Sequence, residues 1–116
     1  MSDEPILDPE AVENLRAISQ DDGGEFLREL IAIFLSDTPA RIAELDQALG
    51  QGDRTTATRA AHSVKGSASN FGANQLAAVA KEIESQCKAG TCTTSSPLLP
   101  SLKTEYARVE TALKAL

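Results

Sequence analysis

The chain has 116 residues and a formal charge of −6, from 17 acidic and 11 basic side chains. That length suits one domain, and size scaling buries about two-thirds of the surface an unfolded chain exposes, enough for one modest core. No cluster of Lys or Arg offers a nucleic-acid footprint, and the longest apolar run, Leu30 to Leu35, is six residues, too short to span a membrane. Met1 to Pro9 lack the charged and apolar regions of a secretory signal, so a cytoplasmic location is expected. An aromatic content of 3%, with no Trp, leaves little to stack on a sugar or a base. Rich in Ala and Leu and poor in β-branched runs, the composition predicts an all-α fold.

In chain order, Asp8 and Pro9 form an N-cap and first-position pair, with Leu7 and Val12 placed as a hydrophobic staple. Leu15 and Ile18 extend that short helix until Asp21-Asp22-Gly23-Gly24. A second helix is predicted over residues 24–49, because Leu27, Ile31, Phe34, Thr38, Ile42, Leu45 and Leu49 step by three and four. Pro39 interrupts it, and the apolar phase crosses the proline, so a kinked continuous helix is expected; two helices with Thr38 as a cap are the alternative. Asp53 caps a third helix that reaches about residue 71, and a fourth covers residues 74–89 with Leu76, Val79, Ile83 and Cys87 on its stripe. Ser96 and Pro97 open the last helix, residues 96–116, whose stripe is Leu99, Leu102, Tyr106, Val109, Leu113 and Leu116. Four long amphipathic helices with short connections predict an antiparallel four-helix bundle, and the short N-terminal helix is expected to cap one end.

Cys87 and Cys92 flank Gly90 and read as two free thiols, one on a helix face and one in a loop; a disulfide is the alternative. One His and two Cys give no four-ligand zinc pattern, so no metal is expected on this chain.

The third helix carries the chemistry. At 100° per residue, Val64, Phe71, Ala57 and Ala60 fall within about 40° of the pole opposite His62. The one histidine of the chain therefore lies on a polar stripe with Thr55, Arg59, Lys65, Gly66 and Ser69. Glycine in mid-helix costs about 1 kcal/mol relative to Ala, and Gly66 with Ser69 would keep the next turns low enough for a macromolecule to reach the ring. Lys65, three residues on, sets an ammonium beside it, suited to a phosphoryl or carboxylate group. Neutral imidazole is a nucleophile, yet no Ser-His-Asp arrangement and no Gly-rich phosphate loop accompany it. Such a site is equipped to carry a group and not to run a full catalytic cycle. A phosphorylation-independent docking adaptor and a small hydrolase are the competing classes, the hydrolase being the weaker because no second activating group is legible.

The run Ala61-His62-Ser63-Val64-Lys65-Gly66, continued through Asn70-Phe71-Gly72-Ala73 to Leu76 and Glu84, resembles the histidine-containing phosphotransfer (HPt) domains of two-component phosphorelays. Phe34, Pro39, Leu45 and Asp53 fit the usual lead-in to that run. The resemblance implies that His62 accepts a phosphoryl group from a receiver-domain aspartate and passes it to another receiver. Lys65, Gly66 and Glu84 would support that transfer. It also implies response-regulator receivers and a hybrid sensor histidine kinase as partners, Mg²⁺ on the receiver, no cofactor on this chain, no autonomous kinase activity and a monomer. Receiver docking is expected around Ala68, Ser69, Gly72 and, on the second helix, Leu35. Glu84 departs from the Gln frequent in standalone phosphotransfer proteins. It would either accept from the imidazole Nδ1–H or pair, as an ordinary surface carboxylate, with Lys81 or Lys88.

Overall fold

The computed structural model describes residues 6–18, 23–92 and 97–116. Among them run five helices: α1 (Pro9–Ile18), α2 (Glu25–Gln51), α3 (Arg54–Asn70), α4 (Asn74–Ala89) and α5 (Leu98–Lys114). No strand occurs among these residues, and helices α2 to α5 form the antiparallel bundle. No helix among them is long and apolar enough to cross a membrane. The Asp21-Asp22 stop and the Ser96 cap lie outside the described residues.

Helix α2 runs unbroken through Pro39 for 27 residues. Thr38 does not cap a second helix: it is buried, and its hydroxyl has no hydrogen-bond partner. The continuous apolar face decides the matter, since Leu27, Phe34, Thr38, Ile42, Leu45 and Ala48 all point into the core. Phe34 anchors the middle of the bundle, edge-on to Phe71 at 5.4 Å and stacked on Tyr106 at 5.9 Å. Such aromatic contacts add roughly 1 kcal/mol each to the burial itself.

Helix α3 starts at Asp53, whose Oδ1 accepts from the Thr56 N–H at 3.1 Å while Oδ2 accepts from the Thr56 hydroxyl at 2.7 Å. Those two bonds hold the Asp53 carboxyl below its ordinary value. Its buried residues are Ala57, Ala60, Ala61, Val64 and Ala68. Small side chains let α3 lie close against both α2 and α4, which sets His62 within reach of α4. The helix gives way to a tight turn at Gly72, where φ is 64°, a value that favours glycine.

Helix α1 covers that turn. The Asp8 side chain caps it, accepting from Glu10 N–H at 3.0 Å, and the Asp8 backbone N–H donates to the Gly72 carbonyl at 2.9 Å. Leu7 and Val12 are buried beneath it as the staple spacing predicts. The apolar stripes overreach at two ends. Ile18 and Leu116 are exposed, each lying at or past the last turn of its helix.

Candidate functional site

His62 stands in the middle of α3 with 64% of its side chain exposed, opposite the Ala-rich core face. Its ring is held from α4. Glu84, only 7% exposed, brings Oε2 to 2.8 Å from His62 Nδ1 and Oε1 to 2.9 Å from Lys65 Nζ. Lys88 Nζ approaches Oε2 at 3.4 Å from one helical turn further along α4. Glu84 is thus no ordinary surface carboxylate: it is buried against the imidazole, and of the two lysines considered as partners it pairs with Lys88.

Burial by itself pushes the Glu84 carboxyl up, but the Lys65 and His62 hydrogen bonds and the charges of Lys65 and Lys88 outweigh it and hold the carboxyl down at about 2. An ionised carboxylate can only accept. Nδ1 is therefore the protonated nitrogen of the neutral ring, and Nε2 keeps its lone pair on the solvent side. The arrangement leaves a nucleophile facing outward with a fixed negative charge behind it.

A shallow groove of about 450 Å³ opens beside the ring, lined by Arg54, Thr55, Thr58, Arg59, His62, Glu84, Cys87 and Lys88. With Lys65 beside the ring, four of the eleven basic residues of this acidic chain gather around His62. Glu84 forms ion pairs with two of them, Lys65 and Lys88. The sequence placed Arg59 on the His62 stripe and Lys88 as an alternative partner of Glu84, but gave no role to Arg54. Helical spacing held the signal, since Arg54 is two turns before His62 and Lys88 one turn after Glu84.

Gly66 sits one turn beyond His62 and is exposed, and a Cβ added there would meet nothing within 4 Å. Nothing inside the chain requires glycine at this position, so the space it leaves faces outward. Ser69 continues the low stripe, exposed, with its hydroxyl donating to the Lys65 carbonyl at 2.9 Å.

The other expected docking positions need correction. Ala68 is 0% exposed because it lies on the core face of α3, and it offers nothing to a partner. Gly72 is buried under α1, where a side chain would collide with Asp8 and Ala11. Leu35 is half-buried and belongs to the opposite side of α2: Ile31, one turn before it, shares a groove with Leu113 and Leu116 near α5. The edge of α2 that meets α3 is instead formed by Leu30, Ile33 and Asp37, beside Ser67 and Asn70. Ile33 is 62% exposed there, an apolar side chain next to the His62 stripe.

Comparison with known proteins gives a consistent picture. The family model described as "Hpt domain" matches residues 29–112. No curated protein matches the sequence significantly. The fold is similar to the crystal structure of histidine-containing phosphotransfer protein B (HptB) from Pseudomonas aeruginosa PAO1, with a TM-score of 0.86 and 32% identity, over 96% of this chain and 93% of that one. A model matching most of the chain and a shared fold over nearly its whole length lead to one conclusion: the chain belongs to the Hpt domain family, the histidine phosphotransfer proteins of phosphorelay signalling.

Proposed function

We propose that His62 is the phosphoacceptor of this phosphocarrier, taking a phosphoryl group at Nε2 from a receiver-domain aspartyl phosphate and passing it to the aspartate of another receiver. In that step a P–N bond forms at Nε2 while the acyl P–O bond breaks, and the carboxylate leaves as the free aspartate. The Nδ1 proton stays on the ring, so the phosphoimidazole becomes cationic as the bond forms. Glu84, already ionised at 2.8 Å, stabilises that charge. This contact, on a ring whose Nε2 is exposed, is the observation that carries the reading.

Lys65 lies 2.9 Å from Glu84 and can swing its ammonium toward incoming phosphoryl oxygens, exchanging one anionic partner for another while His62 and Lys88 still pair with Glu84. Gly66 and Ser69 clear the approach of the receiver, and Ile33 offers an apolar contact at its edge. The receiver supplies Mg²⁺, and a hybrid sensor kinase supplies phosphate upstream; this chain has no kinase activity of its own, and works as a cytoplasmic monomer. Mixing the protein with a phosphorylated receiver tests the reading. The label on this chain should survive alkali and be lost in acid, and His62→Gln should abolish it with helicity unchanged, because the residue faces solvent. Acid-labile label persisting in that variant defeats the assignment.

A further inference from the structure

Away from the imidazole, the end of α4 carries two thiols that the phosphotransfer reading leaves unused. Helix α4 stops in a reversal at Gly90, φ 81°, whose N–H donates to the Cys87 carbonyl at 3.1 Å; Thr91 N–H then donates to the Gln86 carbonyl at 2.8 Å. This turn folds the chain back over the last turn of the helix. Cys92 consequently packs against the core that includes Cys87. Cys87 is buried, whereas Cys92 is partly exposed and lines a cleft of about 150 Å³ with Asp53, Arg54 and Gly90.

We propose that Cys87 and Cys92 form a thiol–disulfide couple that exchanges with low-molecular-weight disulfides of the glutathione class. Three observations carry it. The reversal at Gly90 brings Cys92 back against the core beside the last turn of α4, which carries Cys87, so a bond of about 2 Å can close by movement of a loop hinged at a glycine. They are unequal in access: Cys92 opens to a cleft, and Cys87 lies behind it. Arg54 lines the groove beside Cys87 as well as the cleft beside Cys92, and brings to both a positive charge of the kind that favours a thiolate.

The roles follow from that inequality. Burial first, then the hydrogen bond and charge of Cys92, push the Cys87 thiol up to about 12, against the opposing pull of Thr58 and Arg54. Cys87 therefore keeps its proton behind the more accessible Cys92, and Cys92 is the thiol that a disulfide arriving from solvent meets first. The Cys92 thiolate displaces one glutathione thiolate from glutathione disulfide and forms a mixed disulfide. Cys87 then gives its proton to the departing glutathione and attacks the Cys92 sulfur, breaking the mixed disulfide and releasing the second glutathione. Two protein thiols are oxidised, one glutathione disulfide is reduced to two thiols, and both protons end on glutathione. The couple adjoins the phosphotransfer groove, since Cys87 lines the groove itself and Arg54 lines both cavities.

The test is equilibration of the full chain in buffers of reduced and oxidised glutathione, acid quenching, alkylation of free thiols and intact-mass measurement. The expected wild-type product is a monomer that has lost two hydrogens, takes no alkyl group and carries no glutathione. Cys87→Ala should accumulate a stable glutathione adduct at Cys92, because the resolving thiol is gone. Cys92→Ser, altered at a partly exposed loop position, should stay unmodified with its buried Cys87 thiol intact. Wild-type protein that keeps two alkylatable thiols in every buffer overturns the proposal. So does a lasting adduct at Cys92 or a disulfide between two chains.

Discussion

His62 Nδ1 and Glu84 Oε2 lie 2.8 Å apart across the α3–α4 interface, one side chain mostly in solvent and the other almost wholly buried. The Ala-rich face of α3 makes this distance attainable, because bulkier core residues would hold the two helices further apart. A buried carboxylate needs compensation, and His62, Lys65 and Lys88 supply it from three directions.

Replacing Glu84 tests whether that contact orients the ring. Glu84→Ala should shift the imidazole away from the Nδ1–H tautomer and slow phosphoryl uptake several-fold, while Glu84→Gln, whose amide oxygen can accept the same bond, should recover part of both. Nitrogen-15 spectra of the single histidine read the tautomer directly. Identical spectra in wild type and Glu84→Ala would reduce the contact to surface pairing.

The same carboxylate makes stability depend on acid. Its folded value of about 2 lies below the ordinary 4.5, so its contribution is fully present above about pH 4.5 and is lost as pH falls toward 2. The difference corresponds to about 3 kcal/mol at neutral pH. Glu84→Gln should therefore flatten the loss of unfolding free energy between those limits, measured by urea titration at each pH. Parallel profiles for the two proteins would contradict the linkage.

Gly66→Leu separates propensity from access. The added side chain meets nothing inside the chain and replaces a poor helix former, so the melting temperature should hold or rise by a few degrees. Transfer from a phosphorylated receiver should nevertheless fall by an order of magnitude or more, on the premise that the partner occupies that space. A more stable variant with undiminished transfer would leave Gly66 as a helix defect.

Docking across the α2–α3 edge predicts a particular split in kinetics. Ile33→Glu and Ser69→Glu, both at exposed positions, should raise the KM for phosphorylated receiver, with a smaller effect on the rate once bound. Leu35→Gln, on the α5 side of α2, should leave KM near the wild-type value. Equal effects from Ile33 and Leu35 would argue against this edge as the contact surface.

Gly72→Ala addresses the cap on the bundle. Its positive φ and the close approach of Asp8 and Ala11 both oppose a methyl group, so stability should drop by more than the roughly 1 kcal/mol of a strained glycine site. Transfer by the folded fraction should be unchanged, since the turn lies at the end of the helix and not beside the ring. Hydrogen exchange should localise the loosening to α1 and the α3–α4 turn.

The all-α class, the polar setting of His62 and the low stripe of Gly66 and Ser69 were legible in the sequence because each depends on helical period alone. A 3.6-residue repeat tells which side chains share a face, and for α3 that suffices to turn His62 away from Val64 and Ala57. Period does not tell which neighbouring helix a face meets, at what height, or what covers a turn. Glu84 could have been a solvated carboxylate until the packing of α4 on α3 brought it under the imidazole. Leu35 and Ile33 both border the apolar stripe of α2, and only the bundle's arrangement put Ile33 at the α3 edge and Leu35 toward α5. Gly72 lies next to the exposed stripe in sequence, yet α1, arriving from more than fifty residues upstream, buries it. Local hydrogen bonding and side-chain phase fix a helix and its faces, whereas contacts between distant segments arise only when the whole core closes.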